Sequence, residues 1–289
     1  MKNENKVEIP TDCPNKKQYH MVKKLNISNT NAKGMVRFTQ YTDLTHIDCS
    51  HNQITDLDLW TVDSTLTHLN CAHNQITWFD VQDCITHLTI YANPLTRLIF
   101  TPESAFNQNI DTMFDDPANP DSPQTLTHLF LGDEFNTKIN KLPKTLRYFF
   151  PGHNYPHPIG NLLLGCPNLV FVNFGVKFNH QISKLLPVSL ETLGFDTDSE
   201  FNQPLDLTEL VNLTRLELGS WFDQELDKLP VNLKFLTFSR WSKYSRTLGK
   251  LPGGLILLDL PDCKKTRAKL LPTIKPELIH IIKFDNFIK

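Results

Sequence analysis

Apolar residues recur along the chain in one short pattern: an apolar position, a second three residues later, and a third two residues after that. The pattern starts at Val22 and then at residues 44, 66, 85, 126, 146, 169, 190, 213, 233, 255 and 278. Successive starts are 19 to 23 residues apart, except for a gap of 41 residues between Ile85 and Leu126. Because this gap is close to two periods, we predict one hidden repeat between Leu98 and Thr125, where FNQNI begins at Phe106.

Each repeat opens with six residues such as LTHLFL at 126 or LTRLEL at 213, which predicts a short strand. Positions 1, 4 and 6 are expected to point inward and positions 2, 3 and 5 outward. One repeat cannot bury its own apolar edge, but stacked repeats form a continuous core. We therefore predict a solenoid of about twelve or thirteen turns, with one curved parallel β-sheet on its concave face. The convex face should be coil and short 3-10 turns, with little α-helix.

The solenoid is expected to be one domain that covers residues 22–284, with a surface insertion near 111–125. An N-terminal tail and cap at 1–21 should precede it, and a C-terminal end at 285–289 should follow it. The apolar segment LIHIIKFDNFIK, which begins at Leu278, is expected to close the array as its last repeat.

Two versions of the repeat are present. The early repeats contain HNQIT at 51 and 73 and ANPLT at 92, and their asparagines Asn52, Asn74 and Asn93 should turn inward to bond the loop backbone. In the later repeats an aromatic residue recurs once per turn and should stack into an inner spine. The members of this spine are Phe106, Phe135, Phe178, Phe201 and Phe222. A proline before the next strand, as at Pro187 and Pro230, lacks an N–H and can end the return path.

The later version, as in FNTKINKLP at 135 and FDQELDKLP at 222, closely resembles the FNIP repeat, a variant of the leucine-rich repeat. The resemblance covers about Leu95 to Pro272, while the earlier repeats look more like ordinary leucine-rich repeats. It implies a protein-binding array from an amoeba or from a large DNA virus that infects amoebae. Members of the family are sometimes fused to an F-box or kinase module, for which the 21 residues before the solenoid are too few.

Composition excludes several classes of protein. A net charge of −2 gives no field that would gather nucleic acid or acidic lipid. No apolar run is long enough to span a membrane, and the N-terminal residues do not resemble a signal peptide. Six scattered cysteines without a CxxC pair favour a reducing, intracellular and cytoplasmic location. Because no catalytic or cofactor motif occurs, we expect neither an enzyme nor a cofactor.

Histidine repeats with the strands at His46, His68 and His87, each time after a threonine. Neighbouring strands lie about 4.8 Å apart, close enough for a metal ion to be shared, so these residues are weak metal-ligand candidates. However, no carboxylate or thiolate is expected at the same level, because Cys49 and Cys71 point into the core. We therefore interpret the histidines mainly as surface residues of the strands, repeated because one repeat unit was duplicated. A surface whose properties change with pH is a third interpretation.

Aromatic residues occupy outward strand positions in the middle of the chain, at Phe130, Tyr148, Phe150 and Phe171. An apolar patch on an open sheet is typical of an interaction site, and aromatic residues are favoured anchors. We therefore predict a monomeric scaffold that binds a protein partner, such as a host protein, on its concave face. If the strand register slips by one residue, these side chains would instead belong to the core.

Three alternatives stay open. One is a substrate-recognition adaptor for host ubiquitin ligation, which rests on family analogy. Another is a metal-binding protein that uses the N-terminal histidines. The last is a structural component, for example of a particle.

Overall fold

The computed structural model describes residues 19, 21–62, 64–115, 117–119, 124–261 and 282–283. These residues form a parallel-sheet solenoid of about eleven turns, which confirms the predicted fold class. Helical structure among them is limited to short 3-10 turns such as Leu163–Gly165. The chain divides into two compact units, unit 1 from Met1 to Pro143 and unit 2 from Lys144 to Lys289.

Unit 1 is built from short strands that pair in parallel in three sets. The strands are β1 (Lys24–Asn26), β2 (Lys33–Arg37), β3 (His46–Asp48), β4 (Gln53–Asp58), β5 (His68–Asn70), β6 (Trp78–Val81), β7 (His87–Thr89), β8 (Arg97–Phe100) and β9 (His128–Phe130). One sheet has the order β1-β3-β5-β7, a second pairs β2 with β4, and in the third β8 lies between β6 and β9. The early turns therefore contribute two strands each.

The expectation of one continuous sheet is wrong for unit 1. β7 belongs to the first sheet, whereas β8, the next strand along the chain, pairs with β9. The reason lies in LTRLIF at Leu95, which repeats the strand pattern only ten residues after Ile85, so that one turn supplies strands to two sheets. β8 is thus the strand of the hidden repeat, and it begins at Arg97, just before the predicted interval.

The predicted inward asparagines of unit 1 are confirmed. Asn52 accepts hydrogen bonds from the N–H groups of Thr30 and Ala32, both at 3.0 Å. Its amide group also donates to the carbonyls of Ile27 and Cys49, both at 2.9 Å. Asn74 and Asn93 repeat this arrangement one and two turns later, so each amide joins the loop backbone of two turns. The residue before each asparagine, at 51, 73 and 92, has φ between 53° and 55°, which turns the chain out of the strand.

Unit 2 is more regular, with one described strand in each turn. The strands are β10 (Tyr148–Phe150), β11 (Phe171–Phe174), β12 (Thr192–Phe195), β13 (Arg215–Leu218), β14 (Phe235–Phe238), β15 (Leu257–Asp259) and β16 (Ile282–Lys283). Consecutive strands pair in parallel and in register. Along β13, for example, Leu216 and Leu218 are buried while Arg215 and Glu217 are partly exposed, as the pattern predicts.

The aromatic spine is confirmed in both units. In unit 1 the rings of Phe106 and Phe135 stack with centroids 6.4 Å apart. In unit 2 Phe178, Phe201 and Phe222 stack at 6.3 Å and 6.1 Å, in planes within 13° of one another. Each ring is at most 1% exposed. The spine is longer than predicted, because Tyr244 stacks on Phe222 at 6.2 Å and takes the place of a phenylalanine.

Proline ends the return path of the later turns, as predicted. The carbonyls of Pro187, Pro230 and Pro252 accept hydrogen bonds from the N–H groups of Leu190, Leu233 and Leu255 at 3.1 to 3.3 Å. A tight turn therefore delivers the first leucine of each strand into the core. Burial of one leucine side chain stabilises the fold by roughly 2 kcal/mol, so every turn contributes to stability through its own strand.

Several predictions fall wholly or partly on residues that the structure does not describe. They are the tail and cap at 1–21, the segment from Leu278 apart from β16, and parts of the insertion at 111–125. Among the described residues, no helix is long and apolar enough to cross a membrane.

Candidate functional site

In unit 1, the outward side chains of β1, β3, β5 and β7 line a shallow cavity of about 390 Å³, which we call the histidine trough. Its floor is a row of matching strand positions, because Lys24 lies beside His46, His46 beside His68, and His68 beside His87. The inward neighbours of this row, such as Ile47 and Leu69, are buried. The structure therefore brings together the three histidines that the sequence singled out.

The three imidazole rings form a parallel stack. The ring centroids of His46 and His68 are 4.1 Å apart, and those of His68 and His87 are also 4.1 Å apart, with interplanar angles of 11° and 5°. Because neighbouring rings are related by one strand step, equivalent nitrogen atoms have nearly the same separation as the centroids. His46 and His68 are half-buried and His87 is exposed, so the outer edge of the stack faces solvent.

A threonine hydroxyl orients each ring. Oγ1 of Thr45, Thr67 and Thr86 lies 2.9 Å from Nδ1 of the histidine that follows. The same three hydroxyls donate to backbone carbonyls of the preceding turn at 2.9, 3.1 and 3.2 Å. Each threonine hydroxyl therefore links its histidine ring to the backbone of the preceding turn and fixes the orientation of the ring.

The electrostatics of the stack favour the neutral form of its central ring. Partial burial, followed by the neighbouring His87, His46 and Lys24, lowers the pKa of His68 below its ordinary value. A second stacked pair, His51 and His73, lies in the loops that follow β3 and β5, with ring centroids 4.2 Å apart.

The cysteines lie on the other side of the strands from the histidines, as expected. Cys49 and Cys71 are fully buried, and burial raises the pKa of Cys49 to about 12. Each thiol donates to a carbonyl of the next strand, at 3.4 and 3.5 Å. In the part of the chain that the structure describes, no group of three or more His, Cys, Asp or Glu side chains is arranged to hold a metal ion.

In unit 2, the outward side chains of β10 to β15 form a second surface, which we call the unit 2 face. Tyr148 and Phe171 are register partners on β10 and β11, and their ring centroids are 6.1 Å apart. Phe150 packs edge-on against His153 at 5.6 Å, and Nε2 of His153 lies 2.5 Å from a carboxylate oxygen of Asp196. Tyr148, Phe150 and Phe171 are all partly exposed, so these predicted site residues lie on the outward side of the sheet.

Phe130, the remaining predicted anchor, belongs to unit 1. It lies on β9 with the same half-buried outward orientation, and its ring packs edge-on against His128 at 6.5 Å.

Sequence reasoning missed three features of the unit 2 face. Phe235 occupies the same outward position as Phe171, and the guanidinium carbon of Arg215 lies 4.4 Å from the centroid of its ring. Gly194 lets the side chain of Asn173 lie close against the backbone of β12, because a Cβ at this position would be 2.5 Å from Oδ1 of Asn173. The same Cβ would be 3.5 Å from a carboxylate oxygen of Glu217, so two acceptor side chains meet over Gly194. The strand alignment alone could have identified Phe235, at the third position of LKFLTF.

Exposed tryptophans lie beyond the strand ends of unit 2. Nζ of Lys243 is 3.2 Å from the ring centroid of Trp221, and the guanidinium carbon of Arg240 is 4.8 Å from that of Trp241. Both indoles are at least half exposed, so they add apolar surface in the loops that follow β13 and β14.

No protein-family model matches the sequence, and no curated protein matches it. Several solved structures of leucine-rich-repeat proteins are similar at low identity. The circular leucine-rich-repeat protein CroV588 is 19% identical over 85% of this chain and 57% of that chain, with a TM-score of 0.30. The functional domain of InlJ from Listeria monocytogenes is 16% identical over 92% of this chain and 68% of that chain, with a TM-score of 0.37. YopM from Yersinia pestis is 19% identical over 81% of this chain and 70% of that chain, with a TM-score of 0.27.

This chain therefore spans little more than half the length of CroV588. The TM-scores are 0.37 or less, and such similarity does not identify a binding partner or a functional site. The fold assignment rests on the strand pairing and the repeat period of this chain.

Proposed function

We propose that this chain is a protein-recognition scaffold that binds a protein partner on the unit 2 face. The observation that carries the proposal is the cluster of partly exposed aromatic side chains at matching outward positions, with Tyr148 and Phe171 in contact at 6.1 Å. A folded chain rarely leaves neighbouring aromatic rings open to water without a use for them, because burying each one is worth about 2 kcal/mol.

Rigid display explains how such a surface would bind. The backbone below the face is fixed by parallel pairing and by the buried phenylalanine spine, so that little chain must be ordered on association. Tyr148, Phe150, Phe171 and Phe235 would act as anchors, and polar side chains would select the partner. Phe130 lies on the outward side of unit 1, and its role as an anchor is a separate prediction.

The polar groups beside Gly194 suggest what the partner presents. Asn173 and Glu217 are its register partners on the two neighbouring strands, and their side-chain oxygens meet over its backbone. A segment that carries an apolar group next to a hydrogen-bond donor or a cation fits these acceptors better than an acidic one.

The proposal also includes the subtype of the repeat, the origin of the protein and its cellular compartment. The stacked phenylalanines and the proline turns of the later repeats support a solenoid of the FNIP type, with an amoebal or viral origin. The thiols of Cys49, Cys71 and Cys84 are free, which supports a reducing compartment.

Site-specific photo-crosslinking in an amoebal lysate tests the proposal. A photoreactive amino acid in place of Tyr148 should crosslink one partner, whereas the same group in place of Val231, which is exposed in the turn before β14, should not. Adding Phe171→Asp to the Tyr148 probe should weaken capture about 30-fold, because loss of an anchor costs about 2 kcal/mol. Val211→Asp is the matched charge control, since Val211 is an exposed valine in the turn before β13 and not on a strand.

The proposal requires a difference between the two probe positions. Equal crosslinking from both would show nonspecific capture, and unchanged capture in the Phe171→Asp protein would remove the unit 2 face as the site. Circular dichroism of each variant ensures that a loss of capture is not a loss of fold.

A further inference from the structure

The histidine trough contains a row of side chains that can all carry a positive charge. Lys24 is a cation at physiological pH, and His46, His68 and His87 follow it at the same strand position. An imidazole takes up a proton as the pH falls through about 6.5, so acidification charges this row. The rings are stacked with nearly parallel planes 4.1 Å apart, so their nitrogens cannot converge on one metal ion. A partner with several negative charges matches such a row better.

The other charged groups of the trough nearly cancel at neutral pH. Among the described side chains that line it, Asp48 is the one carboxylate, and its charge offsets that of Lys24. Oδ1 of Asp48 accepts hydrogen bonds from the N–H and the hydroxyl of Ser50 at 3.0 and 2.6 Å. Lys23, just before β1, is paired with Asp43 at 3.1 Å. Each proton that the rings take up therefore adds positive charge to a trough that is otherwise close to neutral.

The place of each ring in the stack determines which rings become charged. His68 has a ring neighbour on both sides at 4.1 Å, whereas His46 and His87 have one each. Charges on adjacent rings repel each other strongly, while charges on the two end rings are roughly 8 Å apart. Partial burial, followed by the neighbouring His87, His46 and Lys24, also lowers the pKa of His68. The end rings therefore carry the charge, and the central ring separates them.

Each end ring is oriented by a threonine, which leaves one of its nitrogens for a partner. Nδ1 of His46 and Nδ1 of His87 lie 2.9 Å from the hydroxyls of Thr45 and Thr86. A charged imidazole has a proton on both nitrogens, so Nδ1 donates to the threonine and Nε2 can donate to a bound group. A carboxylate is the favoured acceptor for such a donor, because the hydrogen bond is then assisted by both charges.

We propose that the histidine trough binds an acidic peptide segment of a protein partner, which lies across the strands and is held more tightly as the solution becomes acidic. The row from Lys24 to His87 spans about 14 Å, since neighbouring strands are about 4.8 Å apart. A compact anion such as phosphate cannot contact a row of this length. In an extended peptide, side chains two residues apart lie on the same side and about 7 Å from each other, close to the separation of the end rings.

This inference goes beyond the proposed function. It concerns residues of unit 1 alone, uses none of the anchors of the unit 2 face, and assigns a partner segment of the opposite charge. Glutamates at alternate positions of the segment reach His46 and His87 together, and a further carboxylate reaches Lys24.

Fluorescence anisotropy of a labelled peptide with the purified full chain tests the proposal. The probe is a peptide of alternating glutamate and serine, whose carboxylates stay ionised at about pH 5.5, and the control peptide has glutamine in place of glutamate. At constant ionic strength, the glutamate peptide should bind about tenfold more tightly at about pH 5.5 than at about pH 7.5, because binding is coupled to proton uptake by the rings. The glutamine peptide should bind weakly at both pH values.

Two histidine variants distinguish the trough from other titrating groups. His46→Gln/His87→Gln should keep less than about a twofold pH effect, since neither end ring can be charged. His51→Asn/His73→Asn removes the second stacked pair and should keep the full effect, and asparagine tolerates the positive φ of these two positions. Circular dichroism at both pH values checks that each variant is folded.

Asp48→Asn provides a gain of binding, which a loss of fold cannot imitate. Asparagine keeps the Oδ1 acceptor for Ser50, and the same strand position holds an asparagine at 26 and at 70. Because the variant removes a carboxylate that repels the peptide, it should bind the glutamate peptide about threefold more tightly at both pH values.

Four results would each overturn the proposal. They are equal binding of the glutamine and glutamate peptides, no tightening on acidification, a full pH effect in the His46→Gln/His87→Gln protein, and weaker binding by the Asp48→Asn protein. Displacement of the glutamate peptide by millimolar inorganic phosphate at constant ionic strength would indicate a site for small anions, and it would also contradict a peptide site.

Discussion

At the residue scale, one buried asparagine side chain can supply hydrogen-bond partners for several backbone groups of its loop. The side chain of Asn74 is only 7% exposed, yet its amide donates to the carbonyls of Cys49, Cys71 and Ala72 at 3.0 to 3.2 Å. Its Oδ1 accepts from the N–H of Ile54 at 2.9 Å. Such a residue is tolerated in the core because every polar atom it brings has a partner there.

Replacing Asn74 by alanine should be strongly destabilising. The change leaves several buried backbone groups without their partner, at about 1 to 3 kcal/mol for each group that water cannot reach, so we expect a loss of about 3 kcal/mol. Asn212→Ala is the matched control, since this exposed amide makes a single bond to the carbonyl of Val188, and it should cost about 0.5 kcal/mol. Urea unfolding followed by circular dichroism measures both, and similar midpoints would contradict the assigned role of Asn74.

The sequence predicts the inward asparagines but not the stacking of the histidines, for a physical reason. HNQIT and ANPLT place an asparagine at one backbone position in successive turns, and only an inward amide can serve a buried loop there. For His68 the spacing predicts a row, but the ring orientation depends on Oγ1 of Thr67. That oxygen contacts both the ring and a carbonyl of the preceding turn, which a single repeat does not show.

At the element scale, the strand pattern predicts which residues are buried but not which strands meet. LTRLIF at Leu95 fits the strand pattern as well as ITHLTI at Ile85 does, and the chain uses both, in two different sheets. The phenylalanine motif also does not predict Tyr244 in the spine, because a tyrosine takes the place of phenylalanine in that repeat. Its hydroxyl can join a buried stack because it donates to the carbonyl of Thr247 at 3.2 Å.

The spine predicts a large cost for one truncation in unit 2. Phe201 is 1% exposed and stacks between Phe178 and Phe222, so Phe201→Ala leaves a cavity that its neighbours cannot fill. We expect a loss of about 3 to 5 kcal/mol in the free energy of unfolding. Val231→Ala, at a position that is 68% exposed, should change stability by less than about 0.5 kcal/mol. Denaturant titration compares the two variants, and a loss below 1 kcal/mol for Phe201→Ala would argue against the spine as a stabilising element.

At the scale of the whole molecule, the described turns of unit 2 are held together by contacts between neighbouring turns. Each strand of unit 2 pairs only with the strands of the preceding and following turns, and each spine ring stacks on its neighbours in the same order. Stability in such an array is close to a sum of terms for single turns and for the contacts between neighbours. Surfaces on separate turns, such as the Tyr148–Phe171 pair and the exposed tryptophans, can therefore change in composition without disturbing each other's backbone.

This architecture predicts that the destabilising effect of a mutation in unit 2 is confined to the neighbouring turns. In the Phe201→Ala protein, hydrogen exchange should accelerate in β11, β12 and β13, whose turns hold the rings in contact with the lost side chain. β15 lies two strands beyond β13, so its amides should keep their protection under native conditions, because no contact joins them directly to residue 201. Exchange measured by mass spectrometry on peptides from each strand, with Val231→Ala as the reference, tests this. A uniform loss of protection across β11 to β15 would show instead that unit 2 unfolds as one cooperative body, and the additive description of its turns would then be wrong.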